Sequence, residues 1–484
     1  MRKFKLLYLA PVFALIALLC WALASPPGSS PDDDFHLASI WCANASNTSA
    51  CEPGHSSDQR EIPPAVYFAN CYARDANINA GCQADHSQST VPSVLTKRGS
   101  FQNNYPPVYY ATMSLFVGPS FEGSIFVMRM VNIFLLIGFT SALWALLPRR
   151  RRPALIGGWL LTSVPLGLFL IASNNPSSWA LIGVASAWLA LLGFFETVGR
   201  RKILLGALFV LAVIMAAGAR GDAALYTVLG SVVVLILSFA RTRAFLLNVI
   251  LPAVLAVVAL IFFLSSRQST VAVVGLGDGT QPGSHSGVLA LALKDLINVP
   301  SLWFGSFGTW ALGWLDTALP TIVPFASVLA LVLIVMVGLR NRFRRKTIAL
   351  VLVGVVLWAL PTYVLVAGAN QVGENVQPRY ILPIIVLGVG VTLLGVVGQR
   401  IVWSRTVLIV SVAALSLAET VAMYINMRRY IVGVTSREYN LDSGIQWWWN
   451  IPIPPMLVLV IGSLAWLALL ITFAREVSKT RAIS

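Results

Sequence analysis

Charge is scarce in this chain: 11% of its residues are Asp, Glu, Lys or Arg against 57% hydrophobic ones, and mean hydropathy is +0.78. That balance excludes an ordinary soluble domain and implies an integral membrane protein. Carboxylates are scarcer than bases, 19 against 34, for a formal charge of +15. The basic surplus is split into short clusters beside apolar runs, so it reads as a topology signal resting on anionic headgroups, with no nucleic-acid partner expected. The five cysteines contain no C-x2-C pair, which argues against a zinc site. Neither an internal repeat nor a low-complexity tract is apparent, and Gly275-Leu276-Gly277-Asp278-Gly279 does not follow a nucleotide-binding pattern.

What the chain has in abundance is apolar runs long enough to cross a bilayer as helices, about 17–25 residues each. Twelve spans are expected, near 6–24, 123–147, 154–172, 179–198, 203–218, 223–239, 244–264, 321–339, 347–367, 380–398, 406–425 and 455–473. The expected fold class is an all-α polytopic membrane protein, with residues 1–484 forming one transmembrane domain. Its larger outer loops run over 25–122 and 265–320. Basic clusters mark one side: Arg2, Lys3 and Lys5, Arg149 to Arg152, Arg200 to Lys202, Arg241 and Arg243, Arg340 to Lys346, Arg400 and Arg405, and Arg475, Lys479 and Arg481. The positive-inside rule makes that side cytoplasmic, with both termini on it. Glu196 and Glu476 are expected there too, and the other carboxylates in outer loops or outer helix ends. The first span resembles a signal peptide at Ala22-Leu23-Ala24-Ser25, but its longer apolar core favours a retained helix.

Cys20 lies in the first span as a small apolar filler, whereas Cys42, Cys51, Cys71 and Cys82 share the first outer loop. In an oxidising location two disulfides are expected there, with the short-range pairs Cys42–Cys51 and Cys71–Cys82 favoured among three pairings. Aromatic Trp303 to Trp310 in the second loop suits the membrane interface, as do the tyrosines of Asn104 to Tyr110.

Right after the first span the chain reads Pro31-Asp32-Asp33-Asp34-Phe35-His36. Three adjacent carboxylates beside a membrane cost solvation and repel one another, so stability alone gives little reason for them. Crowding and a low-dielectric boundary raise the proton affinity of one member, which suits a general base. The alternative is N-capping of a short surface helix over Asp34 to Ala45, a task one aspartate satisfies. His36 can orient a carboxylate or touch a phosphate, or simply face the helix surface. Arg379, in Gln377-Pro378-Arg379-Tyr380 at the outer start of a span, has a fork of donors matched to a lipid-linked phosphate; the alternative is snorkelling to a headgroup. Arg220 and Asp222 are expected to neutralise each other, and Lys97 and Arg98 to be solvated.

These elements together resemble a known family. Pro31, Asp32, Asp33 and His36 follow the first span; Tyr105, Pro106, Pro107, Tyr109 and Tyr110 precede the second. Ser173 and Asn175 form a polar break, and Arg379, Tyr380 and Pro383 open a late span. In order and placement the set resembles the bacterial membrane family called domain of unknown function 2142. That family is similar in layout to GT-C glycosyltransferases, which use polyprenyl-phosphate sugars outside the cytoplasmic membrane. The resemblance implies a GT-C-like fold and an inverting transferase in the bacterial cytoplasmic membrane. The donor is then a polyprenyl-phosphate sugar, and the acceptor a cell-envelope glycan or glycolipid. It implies Asp32, with Asp33 beside it, as the base, Arg379 on the donor phosphate, and His36, Tyr105, Asn175 and Tyr380 at the substrate. Asp34 is left as the cap. No cofactor is required, although the acidic cluster could hold a divalent cation. Asp33 stands where the family has Glu, and Asn175 is followed by Pro176 and Ser177 with no acidic residue. Other readings are a transporter or flippase of lipid-linked sugars, which calls for mid-membrane charges and broken helices, and a non-catalytic envelope-assembly protein.

Overall fold

A computed structural model describes residues 6–44, 51–87, 92–276, 287–395, 403–443, 448–449 and 451–479. Arg2, Lys3, Lys5, Ala45, Gly277 to Gly279, Arg400 and Arg481 lie outside them. In lipid every backbone N–H and C=O needs an internal partner, and the apolar runs meet that need as helices. Among the described residues ten helices are long and apolar enough to cross a membrane. Nine coincide with expected spans: Leu6–Leu23, Phe121–Leu146, Ser177–Glu196, Gly221–Ser238, Arg243–Ser265, Ile322–Leu339, Arg344–Ala367, Arg405–Ile431 and Pro455–Ser478.

The count of twelve departs from this in four places. The run 154–172 is two shorter helices, Arg152–Thr162 and Leu166–Ile171, because Pro165 has no N–H to continue the first. Helix Gly199–Ala217 carries Arg200, Arg201 and Lys202 at its start. Helix Pro378–Thr392 has 15 residues, a rise of only about 22 Å. In the other direction, Val288–Thr309, expected within an outer loop, qualifies as the tenth candidate span. Its Lys294, Asp295 and Asn298 interrupt the apolar run without breaking the helical path.

Helix Ser177–Glu196 runs through the middle of the bundle with 89% of its apolar window buried, as a helix apolar on every side must. Its start follows Asn175, whose side chain bonds Pro31, and its last residue, Glu196, accepts from Arg151. The two ends of the bundle are therefore separated by about 30 Å. Bases gather at the Glu196 end: Arg151 pairs with Glu196 at 2.5 Å, Arg201 donates to the Leu146 and Leu147 carbonyls, and Lys346 donates to Gly338, Asn341, Thr392 and Leu394. Two carboxylates among the described residues break the expected pattern, and one is Asp295 inside the tenth candidate span. The other, Glu419, lies midway along helix Arg405–Ile431, fully buried, and accepts from Trp21 Nε1 at 3.1 Å.

The first long loop is a folded unit at the other end. A small antiparallel sheet of Glu52–Pro53, Arg60–Ile62 and Val94–Thr96 qualifies the all-α expectation. Disulfides join Cys42 to Cys51 and Cys71 to Cys82, the expected pairs. Two buried guanidiniums tie the loop to the helices. Arg429 donates to the Tyr72, Asp75 and Ile78 carbonyls and to Asp316. Arg129 donates to the Ala22, Ser25 and Pro26 carbonyls and to Asn174 Oδ1, and so satisfies the open end of the first helix.

Candidate functional site

The chain leaves the first helix through a turn at 26–31 and re-enters helical structure at Asp33–Trp41. Asp32 holds the cap position with φ 61°, a left-handed conformation that a short polar side chain tolerates. Its carbonyl accepts from the Phe35 and His36 N–H groups, but its carboxylate makes no capping bond. That carboxylate is turned to Arg379, whose Nη2 donates at 2.5 Å while Nη1 donates to the Pro31 carbonyl at 2.9 Å. Arg98 Nη2 approaches the other oxygen at 3.5 Å. Burial raises the proton affinity of Asp32, yet the Arg379 charge, with that of Arg98, outweighs it and holds the carboxyl at about 2.

The neighbouring aspartates have different surroundings. Asp33 is fully buried and accepts from the Ser30 N–H at 3.1 Å and from the Ser30 hydroxyl. Burial pushes its carboxyl up to about 6, with the Ser30 bonds and the Arg129 charge pulling the other way. Asp34 is not the cap the sequence suggests. Arg98 grips it with two bonds, Nε at 2.8 Å and Nη2 at 2.9 Å, so Arg98 is not a merely solvated charge either. Lys97 does face solvent, beside Asp58 at 3.5 Å. The three carboxylates thus diverge, and among the described residues no group of three or more His, Cys, Asp or Glu side chains is placed to hold a metal ion.

His36 Nδ1 meets the Tyr110 hydroxyl at 2.9 Å, and its Nε2 is buried with no partner among the described residues. Burial drives its proton affinity well below the ordinary range despite the pull of Asp32, so the ring is neutral. Tyr105 stands edge-on to it at 5.4 Å. Tyr109 and Tyr110 are buried, packed against Trp179 and His36.

Arg379 and Tyr380 open the buried helix Pro378–Thr392. Close packing there requires a glycine: a Cβ on Gly305 would come within 2.4 Å of the Pro378 ring. Arg379 also donates to the Tyr380 hydroxyl at 3.2 Å, and its buried Nε has no partner among the described residues. Arg220 is paired with Asp222 at 2.9 and 2.8 Å, as the sequence suggests. It does more than that. Its guanidinium lies 4.8 Å from the Tyr380 ring and 5.7 Å from the Tyr105 ring, while Arg379 lies 5.0 Å from Tyr380. Two cations therefore flank one tyrosine, and Arg220 and Tyr380, though not Arg379, line a groove of about 160 Å³. Tyr105, Asp222 and Gln268 line it too, together with apolar side chains such as Phe263, Leu360 and Val364.

Asn175 sits behind the site. Its amide donates to the Pro31 carbonyl at 2.8 Å and lies 3.4 Å from the Ser30 hydroxyl, so it braces the turn that carries Asp32 and Asp33. The structure thus brings together Asp32, Asp33, His36, Tyr105, Arg379 and Tyr380, and adds Arg98, Arg129, Arg220 and Tyr110. Tyr110 was within the Tyr-Pro-Pro-x-Tyr-Tyr element. Arg98 and Arg129 carry no local signal, because their partners lie 64 and between 45 and 107 residues away in the chain. The disulfide cysteines lie in the loop that carries these groups and take no part in the cluster.

No curated protein matches the chain. Residues 15–388 match the family described as predicted membrane protein (DUF2142), a stretch that holds every residue of the cluster. The chain belongs to the DUF2142 family of membrane proteins.

Proposed function

We propose that the protein is an inverting membrane glycosyltransferase acting on the extracytoplasmic face of a bacterial cytoplasmic membrane. It moves a sugar from a polyprenyl-phosphate donor to a hydroxyl of a cell-envelope glycan or glycolipid. The observation that carries this reading is the Asp32–Arg379 pair set against Tyr380, which with Arg220 lines a largely apolar groove. A carboxylate, two forked cations and an adjoining apolar groove match the needs of a lipid-phosphate leaving group and a hydroxyl nucleophile. The gathering of bases at the other end of the bundle supports an outward orientation of the site.

In the resting site Arg379 occupies Asp32 and weakens it as a base. A donor phosphate draws the guanidinium onto its own oxygens, and Asp32 regains proton affinity as it loses that partner. The acceptor hydroxyl then gives its proton to Asp32 while its oxygen attacks the anomeric carbon. The bond from that carbon to the phosphate oxygen breaks, and the lipid phosphate leaves with the electron pair. Arg379 and Arg220 stabilise the charge that grows there, the main electrostatic contribution expected of the protein. Asp32 is preferred to Asp33 as the base. Asp33 is enclosed and spent on Ser30, whereas 36% of the Asp32 side chain is exposed.

The test is to offer a panel of polyprenyl-phosphate sugars to membranes containing the protein and follow transfer and lipid-phosphate release. Consumption of one donor with an inverted product supports the reading. Labelled donor that crosses the bilayer intact, with none consumed, favours a transporter instead; neither transfer nor crossing leaves an assembly protein.

A further inference from the structure

At the basic end of the bundle, far from Asp32, a second cavity of about 240 Å³ opens between the helices Leu6–Leu23, Phe121–Leu146, Arg152–Thr162 and Pro455–Lys479. One stripe of the helix Arg152–Thr162 and the residue after it forms a wall. Ile156, Trp159, Leu160 and Ser163 all line the cavity, and Arg152 stands at the head of the same stripe, seven residues before Trp159. The guanidinium of Arg152 lies 4.5 Å over the ring of Trp144, itself a lining residue, so the cavity has a cationic rim. Two donors there are buried and unpartnered among the described residues: Arg152 Nε and the indole Nε1 of Trp159, a residue only 7% exposed. A buried indole N–H without an acceptor is costly, and nothing apolar relieves it.

Among the described residues the rim carries more positive than negative charge. Arg150 and Arg151 take Glu196, at 3.3 and 2.5 Å. Arg152 is left with the charges of Arg149 and Arg201 near it against that of Glu476. We propose that this cavity is a binding site for one anionic glycerophospholipid of the adjacent leaflet. Its phosphate rests on Arg152, an ester carbonyl accepts from Trp159 Nε1, and an acyl chain fills the apolar cavity. Charge complementarity selects the anionic class; an apolar chain alone would not. The site is independent of the donor groove and of the activity proposed for it.

The test uses the full-length protein. It is loaded from mixed micelles of phosphatidylglycerol and phosphatidylethanolamine with matched acyl chains, and bound lipid is counted by native mass spectrometry. Phosphatidylglycerol is expected to be retained about tenfold over phosphatidylethanolamine: both carry the phosphodiester, but the second brings an ammonium against the Arg149, Arg152 and Arg201 charges. Arg152→Gln should abolish that preference and Arg152→Lys should keep most of it. Trp159→Phe, which preserves the apolar wall, should lower retention of both lipids several-fold. Thermal unfolding in lipid-free detergent confirms that each variant is folded, with Arg149→Gln as a second, more exposed probe of the rim. Equal retention of the two lipids, or a preference that survives Arg152→Gln in a folded variant, would overturn the proposal.

Discussion

Arg379→Gln separates a phosphate-binding role from a structural one. Arg379 is nearly enclosed and donates to Asp32, the Pro31 carbonyl and the Tyr380 hydroxyl. Removing it strands Asp32, but 36% of that side chain faces solvent, so water restores much of the lost solvation. The loss of stability is therefore about 1–2 kcal/mol, below the several expected for an enclosed pair. Binding is affected more selectively. A charge-assisted contact with the donor phosphate is worth about 1.5–3 kcal/mol, so the donor KM should rise roughly 10- to 150-fold. Arg379→Lys keeps the charge and loses the fork, and its KM should lie between the two. The assay is sugar transfer under varied donor, with thermal unfolding measured on the same preparations. An Arg379→Gln variant that loses stability but keeps the wild-type donor KM would refute the phosphate assignment and leave Arg379 as a brace for the Asp32 turn.

Asp33 gives a prediction with a definite sign. Its carboxyl is raised from 3.8 to about 6, so the folded protein holds the proton more tightly and stability falls as pH rises from about 4 to about 6. The two-unit shift corresponds to about 3 kcal/mol, and Asp33→Asn should flatten that part of the profile in thermal unfolding against pH. Asp32 has the opposite sign: held at about 2, its contribution is present above about 4 and lost as pH falls towards 2. Asn175→Ala removes the amide bond to Pro31 and should cost about 1 kcal/mol of stability while lowering kcat more than it raises the donor KM, because the turn bearing Asp32 loosens. Replacing Cys71 and Cys82 by Ser opens a short loop and should cost about 3 kcal/mol locally. The signature is easier proteolysis near Tyr72 to Ile78, the stretch anchored by Arg429.

Local patterns in the chain carried much of this protein. Long apolar runs locate nine of the ten candidate spans, because a helix in lipid needs little beyond its own length and apolarity. The reading fails where tertiary burial replaces lipid. Pro378–Thr392 is too short to span alone and is enclosed by neighbours, and 154–172 breaks at a proline that the surrounding helices accommodate. Asp32, His36 and Arg379 stood out because polar groups at a membrane edge are conspicuous. What each does was illegible, since it depends on partners far along the chain. Arg98 decides that Asp34 is not a cap, and Ser30 with Asn175 decides that Asp33 faces inwards. Glu419 inside a span was missed for a simpler reason: one carboxylate does not disturb the apolarity of a 27-residue helix.

In the proposed reaction Asp32 takes the acceptor proton. The single-turnover transfer rate of Asp32→Asn, on donor-saturated protein, is measured beside Asp33→Asn and wild type. General-base loss predicts a fall of roughly 10²- to 10⁴-fold for Asp32→Asn and a much smaller one for Asp33→Asn, with donor still bound. An Asp32→Asn variant that transfers sugar within a few-fold of the wild-type rate would show that Asp32 is not the base.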